Sequence, residues 1–296
     1  MQIFQVDAFT TKRFTGNPAT VILDAEGQTD ATLAAIAREF GHAETAFVLP
    51  PDAADHDLRV RFFNARKEAP FVGHASLAVH AVLLETQRRG AGIARQKSGT
   101  GIIEVSTRIN DAAPSPYIEF RQGAPVIGNP WPLQDALRVA QALGITGTCL
   151  HELLPARLAR KGSSRLLLPV VNPDVLDQLQ PNFDQILSLG REFDAEGFFA
   201  FAVVRGAAGI RTYSRMFCPA LGFPEDPVSG NAHAMLAAYL WDLQQVTAAE
   251  TRFVGHQGTQ MQRPGQVHVS LEIEAGAMHA ARIGGHAVIV SAGRFS

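Results

Sequence analysis

Glu44 is the acid in this chain best suited to moving a proton. It stands at the entry to an apolar strand, Ala46 to Leu49, with no other carboxylate or cation between Phe40 and Pro51, and His42 lies two residues before it. Burial in a closed cleft raises the pKa of a carboxylate, which suits it to carrying protons to and from carbon, whereas a nearby helix N-terminus pulls the other way. The competing reading is a glutamate that ends a strand or pairs with an arginine such as Arg61. His74 follows Gly73 at the mouth of an uncharged helix, where its ring can donate to a substrate oxygen or simply be hydrogen-bonded in the core. Asp226 can orient an amine or hydroxyl of a ligand, although Asp226-Pro227 also reads as an N-cap followed by a helix-opening proline. Asn231 can donate to an oxyanion or finish a turn. Gly73 and Gly230 let the backbone approach a ligand closely.

These residues sit on elements that occur twice. Residues 61 to 84 read Arg-Phe-Phe, a loop ending Glu68-Ala69-Pro70, Gly73-His74-Ala75, then an uncharged run to Leu84. Residues 215 to 241 read Arg-Met-Phe, a loop ending Glu225-Asp226-Pro227, Gly230-Asn231-Ala232, then an uncharged run to Trp241. Both go from strand to turn to glycine to small-residue helix. A helix without charge on any face belongs inside a protein rather than on its surface. The first turn of such a helix has unpaired N–H groups and attracts anions. Two copies imply two similar supersecondary units, since a solenoid needs at least three. Two glycine-led ends facing one cleft would bind a small anion.

The remaining pattern is rich in strands. Ile3–Ala8, Thr20–Leu23, Ala46–Leu49, Leu58–Phe62, Ile102–Thr107 and Tyr117–Phe120 are expected as strands, with a helix from Ala31 to Phe40 capped by Asp30 and closed by Gly41. Gln122 to Pro132, rich in Gly, Pro and Asn, is the expected boundary. Beyond it come a helix over Leu133–Leu143, a strand at Arg165–Val171, and a helical stretch Pro173–Leu189 that Pro181 must interrupt. Strands at Gly197–Val204 and Ile210–Met216 follow, then the second uncharged helix and strands near Val267–Glu272, Met278–Ile283 and Ala287–Val290. The class is α+β with two lobes; the alternation is too irregular for a doubly wound parallel sheet.

Composition narrows the partners. The chain has 296 residues with a formal net charge of −2 and no dense Lys/Arg run, which argues against nucleic acid or an anionic membrane. No apolar run reaches the roughly 18 residues that span a bilayer, and the start lacks a signal-peptide pattern, so a cytoplasmic location is expected. Two cysteines, Cys149 and Cys218, make no disulfide framework. There is no dinucleotide fingerprint, Walker loop or nucleophile elbow, and the ten histidines show no metal-ligand spacing. Chemistry without metal or cofactor is the simplest enzymatic reading.

Taken together, the segments Asp7-Ala8-Phe9-Thr10 with Phe14-Thr15-Gly16-Asn17-Pro18, Glu44-Thr45-Ala46-Phe47-Val48, Arg61-Phe62-Phe63, Pro70 to Ala75, Arg215-Met216-Phe217, Glu225 to Ala232, Gln257-Gly258 with Arg263-Pro264-Gly265, and Gly284 to Val288 resemble the phenazine-biosynthesis isomerase-like (PhzF-like) family, which has the diaminopimelate-epimerase fold. The resemblance spans nearly the whole chain in the family's order. It implies two pseudo-symmetric lobes, each a sheet wrapped around a central apolar helix: residues 1–121 completed by 284–296, and residues 122–283. It further implies an active site between the lobes, a cofactor-independent isomerase and a homodimer. The substrate would be a small carboxylate. Glu44 would be the acid/base, His74 and Asp226 would hold and polarise the substrate, and Gly73, Gly230 and Asn231 would bind it. Asn231 stands where the family more often has serine, and Asn64-Ala65-Arg66 replaces a Thr-Pro type loop, which bears on the substrate. Rival readings are a non-catalytic carboxylate-binding protein on the same fold and a two-cysteine racemase. Against the latter, Val72 and Val228-Ser229 hold the places where such racemases carry their thiols.

Overall fold

Two helices with almost no charge cannot lie on a surface, and both are buried on every side. In the helix Gly73–Glu85 residues 74 to 83 are all buried, and in Gly230–Asp242 so are Gly230 and residues 232 to 240. A computed structural model describes residues 1–41, 44–65, 67–109, 113, 115–207 and 209–295. The chain falls into two compact units, residues 1–121 with 284–296, and residues 122–283. The class is α+β, and among the described residues no helix is long and apolar enough to cross a membrane.

In the first unit β1 (Gln2–Ala8) runs antiparallel to β2 (Asn17–Leu23), helix α1 (Asp30–Phe40) crosses over, and β3 (Thr45–Leu49) returns parallel to β2. Strand β4 (Leu58–Phe63) pairs antiparallel with β3 and with the short β5 (Glu68–Ala69). The central helix α2 (Gly73–Glu85) follows, then β6 (Gly92–Ser98) parallel to β4, and the antiparallel β7 (Gly101–Arg108) and β8 (Tyr117–Gly123). Leu33, Ile36 and Ala37 of α1 pack with Ile22, Phe47 and Phe63. Strand β6 escapes sequence pattern because Arg95 and Lys97 flank its inward residues, Ala94 and Gln96.

The second unit repeats this order. Strand β9 (Val126–Pro130), helix α3 (Leu133–Ala142), β10 (Arg157–Arg160) and β11 (Ser164–Pro169) lead to α4 (Asp174–Gln178) and α5 (Phe183–Phe193), separated where Pro181 breaks the helix. Strand β12 (Gly197–Gly206) is parallel to β11, and β13 (Gly209–Phe217) pairs antiparallel with β12 and with the short β14 (Glu225–Asp226). Helix α6 (Gly230–Asp242) precedes β15 (Arg252–Gln257), which runs parallel to β13, then β16 (Gly265–Glu274) and β17 (Ala277–Arg294). The last is one long strand where two short ones were expected; from Gly284 on it belongs to the first unit, where Ala287 to Arg294 pairs with β1.

The repeat extends to single residues. Phe62 and Phe63 face Ala69 and Glu68 across the first short ladder; Met216 and Phe217 face Asp226 and Glu225 across the second. Arg61 grips Glu68 with Nε and Nη2 at 2.8 and 2.7 Å, and Arg215 grips Glu225 the same way at 2.9 Å for both bonds. Each guanidinium also lies over the phenylalanine two residues downstream, Phe63 at 5.0 Å and Phe217 at 4.9 Å. A planar fork matches a carboxylate and stacks on a ring at once, so one device closes the loop before each central helix.

Two caps differ from expectation. Thr29, not Asp30, caps α1 by accepting from Thr32 N–H, and Ser229, not Asp226, caps α6 by accepting from Ala232 N–H. Asp226 pairs into β14 instead, so the chain needs three more residues before the helix can begin.

Candidate active site

Glu44 lies just before β3, and its carbonyl accepts a hydrogen bond from Thr20 N–H at 3.4 Å. Its carboxylate comes within 3.4 Å of His74 Nε2, and the two side chains are only 13% and 9% exposed. His74 is the second residue of α2, and the first turn of a helix points its N–H groups outward at this end. The other ring nitrogen, Nδ1, lies 3.4 Å from Asn17 Nδ2. An amide nitrogen only donates, so Nδ1 accepts and the neutral ring carries its proton on Nε2, toward Glu44. Asn17, Glu44 and His74 thus lie together, brought in by the start of β2, the residue before β3 and the start of α2.

Arg61 is not the partner of Glu44. It holds Glu68 and, through Nη1, Asp30 at 2.8 Å. His42 lies outside the described residues. Gly73 opens α2 with Phe120 packed against it: a Cβ there would come within 2.9 Å of that ring.

In the second unit Gln257 organises the approach to α6. Its Oε1 accepts from Ser229 N–H at 3.0 Å and its Nε2 donates to the Asp226 carbonyl at 2.6 Å. Gly258 makes this possible with φ +89°, a conformation that favours glycine, at a place where a Cβ would sit 2.3 Å from the Arg263 carbonyl. Gly230 is the first residue of α6 and is buried. Asn231 is committed to its own unit: Nδ2 donates to Ser163 Oγ at 3.0 Å and to the Lys161 carbonyl at 3.3 Å, while Oδ1 accepts from Gln122 at 2.6 Å. These bonds tie the β10–β11 turn to the helix start.

The units therefore carry different chemistry at matching places. By strand register Ala69 corresponds to Asp226, Gly73 to Gly230 and His74 to Asn231. Sequence pattern alone does not single out Asn17 or Gln257 as site residues, although each lies at one end of a strand next to a positive-φ glycine, Gly16 and Gly258. Among the described residues no three His, Cys, Asp or Glu side chains cluster closely enough to hold a metal ion.

The phenazine biosynthesis-like protein (PhzC-PhzF) family model matches residues 6–293. The chain belongs to that family. It is an isomerase of the PhzF-like type, in company with relatives that carry that activity in their names. An uncharacterized isomerase of Clostridium acetobutylicum is 33% identical over 97% of this chain and 95% of its own length. The uncharacterized isomerase YddE of Escherichia coli (strain K12) is 34% identical over 98% and 96%. The crystal structure of a PhzF-family protein from Bacillus anthracis superimposes with a TM-score of 0.88 at 26% identity, covering 99% of this chain and 97% of that one. A hydroxyproline epimerase from Agrobacterium vitis, with a TM-score of 0.65 at 12% identity over 99% of this chain and 91% of its own, shares the fold. At the helix starts of this PhzF-like chain the N-cap residues are Val72 and Ser229; Cys149 lies in a short 3₁₀ turn and Cys218 directly after β13.

Proposed function

We propose that this PhzF-like protein moves a proton between two carbons of a small carboxylate substrate, with Glu44 as the single acid/base and no cofactor. The observation that supports it is the nearly buried carboxylate of Glu44 at 3.4 Å from His74 Nε2. In such a reaction Glu44 takes a proton from one carbon, the electron pair left behind spreads into an adjacent unsaturated system, and the same carboxyl returns the proton to a second carbon. Nothing is oxidised or lost.

His74, oriented by Asn17, directs its single Nε2 proton to Glu44 in the free site and to a substrate oxygen once one is bound. Asp226, kept in position by the Gln257 clamp, orients a polar group of the substrate. The backbone N–H groups at Gly73, Gly230 and Asn231 receive its carboxylate, as helix N-termini do. Asn231 does so through its main chain, its side chain being engaged elsewhere. A homodimer belongs to the same reading, and sedimentation velocity measures it.

The deciding experiment is hydrogen–deuterium exchange into the carbon skeleton of a bound unsaturated acid in D₂O. The wild type should label carbon, and Glu44→Gln should bind the acid without labelling it. Undiminished labelling by the variant removes Glu44 from the mechanism. Binding with no labelling by the wild type points to a carboxylate-binding protein.

A further inference from the structure

Register identifies what the second unit holds in place of Glu44. Thr45 faces Phe63 and Phe198 faces Phe217, so the residue before each, Glu44 and Gly197, are counterparts. On the neighbouring strand Thr20 pairs with Thr45 and Leu166 with Phe198, which makes Ala19 and Arg165 counterparts as well. An acid beside an alanine in one unit is replaced by a glycine beside an arginine in the other. The arginine fills the space: a Cβ on Gly197 would lie 2.9 Å from Arg165 Cδ and 2.6 Å from Met216 Cε. Met216 in turn pairs with Asp226 across β13 and β14.

Arg165 is 6% exposed and poorly satisfied for a buried cation. Nη1 donates to the carbonyl of Ser164 at 2.8 Å and lies 3.9 Å from Glu196 Oε2, an ion pair beyond hydrogen-bond reach. That glutamate is itself half-exposed and accepts from Ser164 N–H. The Arg165 Nε–H has no hydrogen-bond partner among the described residues. Burial pushes its pKa down, against weaker attraction from Cys218, Glu196 and Asp226. A guanidinium keeps its charge nonetheless, and a buried charge without a matched anion is unfavourable by several kcal/mol. Its fork is the shape that takes a carboxylate on two parallel bonds.

We propose that Arg165 is a substrate-binding residue of the second unit, which recognises a carboxylate of the substrate beside Asp226 and so selects anionic over neutral ligands. The inference rests on the reading of this protein as an isomerase of small carboxylates and adds the residue that reads the charge.

Isothermal titration of the full chain with benzoate and its neutral isostere benzamide tests it. The wild type should prefer benzoate. Arg165→Met should weaken benzoate by roughly 10- to 100-fold, the loss of a charge-assisted hydrogen bond, and leave benzamide unchanged. Arg165→Lys should fall between. Gly197→Ala, which pushes a methyl group against Arg165 Cδ, should weaken benzoate as well. Without ligand, Arg165→Met should melt no lower than the wild type, because an apolar chain replaces a buried charge whose paired carboxylate, on Glu196, lies 3.9 Å away. Benzoate binding unchanged in Arg165→Met, no preference for benzoate in the wild type, or a ligand-free variant that melts well below the wild type or fails to fold each overturns the proposal. Glu44→Gln should keep the benzoate preference, so failure of the proton-transfer reading and failure of this one give different results.

Discussion

Each central helix contains a histidine that burial keeps neutral, and this makes stability depend on pH in a calculable way. His80 in α2 is held by Gln96 Oε1, 3.1 Å from its Nε2, and His233 in α6 by the carbonyl of Ser229, 2.7 Å from its Nδ1. Desolvation outweighs these bonds and lowers both pKa values from 6.5 to about 4. The unfolded chain takes up these protons as pH falls through 6.5, whereas the folded chain resists until about 4, so stability is full above 6.5 and is lost between the two values. Linkage gives about 2 kcal/mol lost per histidine between pH 8 and pH 5, and about 3 kcal/mol for the whole window. Two such losses at pH 5 are about 4 kcal/mol, a large share of the 5–15 kcal/mol typical of a folded domain. Urea unfolding at pH 8 and pH 5 measures the loss, and His80→Gln isolates one half of it. The variant loses the ring's packing at both pH values, but its fall in stability between them should be smaller than the wild type's by about 2 kcal/mol. His233→Gln should behave alike, and the double variant should add, since the residues lie in different units. A His80→Gln slope equal to the wild type's would show that His80 is protonated in the folded state and refute the reasoning.

Further outcomes follow from the same geometry. Asn17→Ala, which removes the donor to His74 Nδ1, should lower exchange activity by about 10- to 100-fold in a pH-rate profile that also shifts, the size expected when a supporting hydrogen bond orients an acid or base. Glu225→Gln should destabilise by about 3 kcal/mol in chemical denaturation, because it leaves Arg215, 10% exposed, without its carboxylate; the more open pair makes Glu68→Gln worth less than about 1 kcal/mol. Gly258→Ala should melt well below the wild type, since its Cβ meets two carbonyls at a φ of +89°, whereas Gly27→Ala, at +77° in open space, should lose only about 1 kcal/mol.

Much of this protein can be read along the chain. The two helices announce themselves because buried surface on every side excludes charge at every position, a local rule visible residue by residue. The repeated Arg, Glu and Gly spacing marks the loop before each helix, since the grip of arginine on glutamate closes over only seven or ten residues. Glu44 and His74 stand out by type and surroundings, and the family signature reaches from Asp7 to Val288. What lies across the fold is another matter. That Asn17 reaches His74, 57 positions away, that Asn231 binds the turn at Lys161–Ser163, and that Gln257 clamps Asp226 depend on strands meeting in one register. Pattern gives the face of a strand but not its neighbour, and a shift of two residues keeps every face while changing every partner. Arg165 shows the limit most clearly. Alone it is one basic residue at the start of an apolar strand; only the pairing with Gly197 sets it, buried and half satisfied, beside the position where the other unit keeps its acid.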